Sequence, residues 1–235
     1  MESLLQAFVT AFRLLTSFDA DLVEIVLLSL RVSLMAVFLA ALVGLPLGGW
    51  LAIARFPGRR IVIATLNAMM GLPPVVVGLI VYLLLSRAGP LGWLGWLFTP
   101  TAMVVAQFLL IMPLVAALSR QALEDLFEEY DALFRSLRVG TLGVVQTLLY
   151  EGRHRLLTTL LAGYGRAIAE VGAVIIVGGN IAHVTRVMTT AIALETSKGD
   201  LPLALGLGIV LLFISLLLNA LAALGQTRAS ETVTP

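Results

Sequence analysis

The chain has no cysteine. Disulfide bridges, thiolate nucleophiles and cysteine-ligated metal sites are therefore excluded. Its two histidines, His154 and His183, are too few for a histidine-rich metal site. Charge is scarce as well: 12% of the residues are Asp, Glu, Lys or Arg, against about 25% in a soluble domain. With 60% of the 235 residues hydrophobic, too little polar surface remains to cover a water-facing protein. The formal net charge is only +1, so no strong field attracts nucleic acid. No Gly-x-x-x-x-Gly-Lys-Ser/Thr stretch occurs, which excludes a P-loop for ATP, and there is no His-Glu-x-x-His helix for zinc. No catalytic nucleophile–base set is evident, so the chain reads as a non-enzyme. No internal repeat is evident either, which argues against a transporter built from inverted repeats.

What the chain does have is long apolar runs. A spanning helix needs about 20 apolar residues to cross about 30 Å of hydrocarbon. Residues 32–54, 61–86, 101–119 and 201–227 are charge-free and long enough. A fifth segment, 156–181, is apolar except for Arg166 and Glu170. The expected fold is all-α, a polytopic transmembrane helical bundle of about five spans. Asp200 and Pro202 read as the N-cap and first turn of the last span. Pro46, Pro113 and the Gly71-Leu-Pro-Pro74 stretch are expected to kink or interrupt their spans. A kinked packing helix and a helix lining a pathway both fit such breaks, and the pathway fits Gly71–Pro74 better.

Basic residues set the orientation. One set of loops holds Arg55, Arg59, Arg60, Arg120, Arg135, Arg138, Arg153, Arg155 and Arg228. The other holds Arg13, Arg87, Arg186 and Lys198. The first set is expected to be cytoplasmic, with the C-terminus inside and the N-terminus outside. Residues 1–20 place Met1, Leu4, Leu5, Phe8, Val9, Phe12 and Leu15 on one helical face, with Glu2, Gln6, Thr10 and Arg13 on the other. They read as an interfacial amphipathic helix rather than a basic-headed signal peptide. Residues 21–228 form the transmembrane domain, and 229–235 read as a disordered cytoplasmic tail.

The long polar stretch is residues 120–155. Leu123, Leu126, Phe127, Tyr130, Leu133, Phe134 and Leu137 form one helical face, with Glu124, Asp125, Glu128, Glu129 and Asp131 on or near the other. A second apolar piece follows Gly140. The spacing predicts two short helices with a turn near residues 138–143. Such a loop can be a lid packed on its own spans or a docking element for a partner. In the fifth span, Arg166 lies about ten residues, or about 15 Å, from its start. Glu170 is one helical turn later on the same face. Charges at that depth face protein or water, not lipid. The pair either fixes the packing of the helix or places Arg166 beside an anion path. Gly163, Gly165, Gly172, Gly178 and Gly179 allow close helix approach, and Gly178-Gly179-Asn180 can also end a helix. Thr185, Arg186, Thr189 and Thr190 would sit at the outer mouth, where hydroxyls and one Arg suit a tetrahedral dianion or an ordinary solvated loop.

The loop segment Glu129-Tyr-Asp-Ala-Leu-Phe-Arg-Ser-Leu-Arg-Val-Gly140 resembles the coupling loop of ABC importer permeases, which begins acidic-Ala-Ala and carries a glycine several residues on. Arg138 stands where the first family glycine is expected, and Tyr150-Glu151 where that motif closes on Leu-Pro. Gly163-Tyr-Gly-Arg-Ala-Ile-Ala-Glu-Val-Gly-Ala-Val174 is similar to the Arg-Ala-x-x-Glu-Phe-Gly-Ala segment of molybdate- and sulfate-type permeases. The continuation from Ile175 to Asp200 resembles their tungstate branch. This resemblance implies a permease subunit in a bacterial or archaeal cytoplasmic membrane. It implies a homodimer with the pathway on its two-fold axis, an external oxyanion-binding protein, and separate ATPase subunits that hold the ATP and Mg; no cofactor is expected in this chain. The coupling residues it implies are Glu128, Glu129, Tyr130, Asp131, Ala132, Leu133, Phe134, Arg135, Leu137 and Gly140. The pathway residues are Arg166, Glu170, Gly172, Gly178, Gly179, Asn180, Thr185, Arg186 and Thr189. A stand-alone secondary anion transporter or channel is the alternative, with Arg166 and Glu170 as a coupling pair.

Overall fold

Helix α1 (Ala20–Ile53) begins where Asp19 can cap it. The Asp19 carboxylate accepts the main-chain N–H groups of Asp21 at 3.1 Å and Leu22 at 3.2 Å, two of the donors a helix start leaves unpaired. The helix therefore starts well before the charge-free run at residue 32, and an exposed Arg31 lies inside it. At 34 residues it is about 51 Å long, more than a bilayer core requires. The structure, a computed structural model, describes Val9, Phe12, Arg13, Thr16, Ser17 and Asp19–Glu231. The interfacial helix expected over residues 1–20 thus falls mostly outside the described residues, as do residues 232–235 of the expected tail.

The expected span 61–86 is two helices, α2 (Arg59–Met70) and α3 (Pro74–Leu85), bent by 97° at Gly71-Leu-Pro. The sequence explains the break. Gly71 closes α2, its N–H bonding to the carbonyl of Ala68. Pro73 is the N-cap of α3 and Pro74 its first residue, where a missing N–H is harmless. A short 3-10 turn (Gly92–Leu94) leads to α4 (Pro100–Ser136). The charge-free run ends at residue 119 but the helix does not: α4 runs 37 residues without interruption and carries the acidic stretch on its C-terminal third, so the first of the two expected short helices is the end of a long one. Helix α5 (Thr141–Glu151) follows after a four-residue turn.

The expected span 156–181 is likewise divided, into α6 (Arg153–Ile168) and α7 (Gly172–Gly178), with a 57° bend. A short α8 (Met188–Lys198) precedes α9 (Leu201–Glu231), whose start is capped as predicted: Asp200 accepts the N–H of Leu203 at 3.4 Å. The helix continues through residues 229–231, where the tail was expected to begin. Among the described residues three helices are long and apolar enough to cross a membrane, and up to five crossings result if each bent pair counts as one. Among the described residues there is no strand.

The chain forms two compact units. One comprises residues 1–36, 73–107 and 166–217. In it α3 and α7 pack backbone to backbone: a Cβ on Gly78 would lie 2.7 Å from the Cα of Ala173. The other comprises residues 37–72, 108–165 and 218–235. There Gly44 and Gly48, four residues apart on α1, form a groove for α4. A Cβ on Gly48 would meet the carbonyl oxygen of Ala116 at 2.7 Å. The Ser119 hydroxyl lies in this contact, donating to Val115 at 2.5 Å with the Gly44 carbonyl 3.4 Å away.

Candidate functional site

Two places on the chain gather side chains that packing alone does not require. The first is the break between α6 and α7. A broken helix frees main-chain carbonyls, and in a membrane they must be satisfied from within the protein. Gln107 donates its amide to the carbonyl of Ala167 at 3.0 Å. Thr189 donates its hydroxyl to the carbonyl of Glu170 at 2.9 Å. The Glu170 carboxylate, on a side chain only 6% exposed, accepts the N–H of Ala173 at 3.3 Å and so caps α7. Its other oxygen accepts from Arg166 at 3.1 Å. The Arg166 side chain is 44% exposed. The pair predicted from spacing is thus formed, but unequally: the acid is buried in the break, and the guanidinium keeps an open side. Gly172 fits under Val75, whose side chain would lie 2.8 Å from a Cβ there.

The residues expected at the outer mouth are placed differently. Thr185, Thr189 and Thr190 are buried. Thr185 donates to the carbonyl of Gly178 at 2.6 Å and accepts from Ile181 N–H at 3.0 Å. Thr190 bonds with both main-chain groups of Val187. These hydroxyl protons are spent on the backbone and do not face solvent. Arg186 lies 3.8 Å from the buried Glu195 carboxylate, which also takes Lys198 at 3.0 Å. Gly178 packs on Met103, Gly179 takes the left-handed conformation at φ 71°, and Asn180 donates to the Thr190 carbonyl at 3.3 Å. The segment both ends α7 and packs closely. His183 is exposed and bonds to Glu24 at 2.8 Å, with Asp21 close by. The Glu24 hydrogen bond and charge raise the pKa of His183 above 6.5.

The second place is the hairpin of α4 and α5. Its apolar face divides. Phe134 is buried with Leu123, Val144, Leu148 and Leu156, and Leu126, Phe127 and Tyr130 pack against that cluster. Phe134 and Tyr130, expected among the coupling residues, therefore hold the hairpin together. Leu133, Leu137, Val139, Leu142 and Tyr150 stay exposed, Leu137 by 66%. Ala132, Glu128, Glu129 and Arg135 are exposed beside them, and Arg135 pairs with Asp131 at 2.5 Å. At the turn, Arg138 has φ 50°, a left-handed conformation that favours glycine. Gly140 is extended at φ −70° with open space around it. The backbone thus needs glycine where the sequence has arginine. On the other side of α4, Arg59 donates to the carbonyl of Leu51 at 2.9 Å and to Glu124 at 2.7 Å, tying the end of α1 to the hairpin. Arg120 also pairs with Glu124.

Sequence inspection did not name Gln107, and it met Tyr150 only as a departure from the motif's closing Leu-Pro. Gln107 carried a signal, as a lone amide inside an apolar span. Leu133 and Leu137 of the tip were named through the family resemblance, but which apolar residues of the hairpin are exposed was not legible, because exposed and buried leucines look alike in sequence.

Comparison with known proteins places this geometry. The chain is 43% identical over 220 residues to a tungstate uptake system permease protein of Peptoclostridium acidaminophilum, covering 94% of this chain and 96% of the relative. It is 42% identical over 213 residues to a probable anion ABC transporter permease protein of Haloferax volcanii, covering 88% and 91%. It is 37% identical over 219 residues to the tungstate uptake permease of Campylobacter jejuni, covering 93% and 92%. Residues 44–231, which include both the helix break and the exposed hairpin, match the model of one family, and the chain belongs to it: the inner membrane components of binding-protein-dependent transport systems.

Proposed function

We propose that the chain is the membrane-spanning subunit of an ATP-driven importer for tungstate or a closely related tetrahedral oxyanion. The observation that carries this is the hairpin tip. Leu133, Leu137, Val139, Leu142 and Tyr150 are exposed on an element whose opposite face is a packed core. A rigid apolar tip flanked by acidic residues suits a groove on a partner subunit. That partner would be the ATPase, with its own ATP and Mg. Two copies of the chain would form the pathway on their two-fold axis, with a binding protein delivering the anion outside. The excess of basic residues in the loops around the hairpin supports a cytoplasmic tip, and so an external N-terminus.

Arg166 is the residue we assign to the anion path. Its guanidinium presents planar donors to an oxyanion. Its ion pair with Glu170 weakens that attraction, which transport requires, because an anion held tightly is not released. Thr185 and Thr189 serve the path from behind, by fixing the backbone beside it. The substrate assignment is supported by the named activity of the two tungstate uptake permeases. Tungstate, molybdate and sulfate share charge and shape, so selectivity is assigned to the binding protein.

The test is reconstitution in liposomes with the ATPase and binding protein, with ATP hydrolysis measured against each anion. Tungstate should stimulate hydrolysis, and Arg166→Gln should abolish the coupled uptake. Equal stimulation by sulfate would refute the substrate. Uptake that survives ATP depletion would refute the ATP-driven reading altogether.

A further inference from the structure

A groove of about 420 Å³ runs between α1 and α6, within the range of small-molecule sites. Phe38, Leu42 and Pro46 line it from α1, and Leu157 and Leu160 from α6. Arg153, at the first turn of α6, is the single charged residue among its walls. Every lining residue belongs to the unit of residues 37–72, 108–165 and 218–235, and none is a residue assigned to the anion path. Phe38, Leu42 and Leu157 are each more than half exposed.

We propose that this groove binds one anionic phospholipid, with an acyl chain between α1 and α6 and its phosphate on Arg153. Three observations select that occupant. The walls are aliphatic and aromatic and belong to helices of membrane-spanning character, so a hydrocarbon chain matches them. Arg153 bonds the carbonyl of Tyr150 at 2.9 Å and lies 4.6 Å over the Tyr150 ring, but among the described residues no carboxylate neutralises it. The neighbouring Arg155 is paired with Asp125 at 3.8 Å, so the positive charge at the groove is that of Arg153 with the partial charge of the α6 N-terminus. Basic pockets between spanning helices at the cytoplasmic boundary are where anionic headgroups bind. A neutral lipid would fill the groove and leave the guanidinium unanswered. A second copy of the chain would have to bring an acid to Arg153.

The experiment is native mass spectrometry of the full chain purified in mild detergent and exchanged with equal phosphatidylglycerol and phosphatidylcholine. One phosphatidylglycerol per chain should be retained in preference to phosphatidylcholine. Arg153→Gln, at an exposed side chain, should lower that preference about fivefold, and Arg153→Lys should keep most of it. Ala41→Trp, which fills the groove, should remove the retained lipid of either kind. If it does not fold, Leu157→Phe serves the same purpose. An identical lipid ratio in the original chain and Arg153→Gln overturns the proposal. So does efficient disulfide formation between two copies of Leu42→Cys in membranes, since in a chain without cysteine that bond places a second copy in the groove.

Discussion

Thr189 donates its hydroxyl proton to the main-chain carbonyl of Glu170 at 2.9 Å, nineteen residues back in the chain. A hydroxyl that sequence alone places at the mouth of an anion path thus closes the gap in a broken helix. Thr189→Val keeps the shape and removes the donor, leaving a buried carbonyl unpaired. It should destabilise the protein by about 1–3 kcal/mol, and Thr189→Ser should restore most of the loss. Thermal unfolding in detergent measures both, and an unchanged transition for the valine variant would remove the bond from the account of the break.

The hairpin separates stability from docking. Phe134→Ala opens a cavity among Leu123, Val144 and Leu148 and should cost about 3–5 kcal/mol. Leu137→Ala combined with Leu142→Ala changes exposed residues and should shift stability by no more than about 0.5 kcal/mol each. The same pair should weaken association with the ATPase about tenfold or more, as loss of central contacts does. Co-purification of the two subunits decides, and full retention by the double variant would place the docking surface elsewhere.

Arg138→Gly should raise stability by about 0.5–1 kcal/mol, the relief of a left-handed arginine less the added freedom of glycine in the unfolded chain. Arg138→Ala keeps the strain and should bring no gain. A glycine variant no more stable than the alanine variant would show that the turn carries no such strain.

Between α1 and the loop after α7, His183 and Glu24 form a pair whose stabilisation depends on pH. Glu24 raises the folded pKa of His183 above its ordinary 6.5, while Asp21 adds in the same direction and Arg186 opposes. The contribution is therefore fully present below about 6.5 and lost as pH rises through the raised folded value. Melting temperature should fall across that window in the original chain and not in Glu24→Gln. Parallel pH profiles for the two proteins would remove the pair as the cause.

Gly48→Ala places a methyl group against the carbonyl oxygen of Ala116 and the main-chain nitrogen of Arg120, neither of which can move as a side chain would. The expected loss is about 1–3 kcal/mol. Gly165→Ala, inside α6 with open space around it, should instead gain about 0.5–1 kcal/mol by the same unfolding measurement.

Membrane residence and the approximate number of crossings were decided by the sequence alone. Hydropathy is a local property that sums along the chain, and a run of apolar residues needs no distant partner to be recognised. The Arg166–Glu170 pair and the cap at Asp200 were legible for the same reason, since both lie within a single helical turn. The interruptions at Gly71–Pro74 were legible as breaks, but the 97° bend was not. Tertiary structure decided the rest. Whether a leucine of the hairpin is core or tip depends on which neighbours reach it: Val144 and Leu148 return across the turn to cover Phe134 and leave Leu137 bare. Whether a threonine offers its proton to an anion or to a carbonyl depends on a backbone break elsewhere in the chain. Those outcomes are set by contacts between residues far apart in sequence, and only the folded chain brings them together.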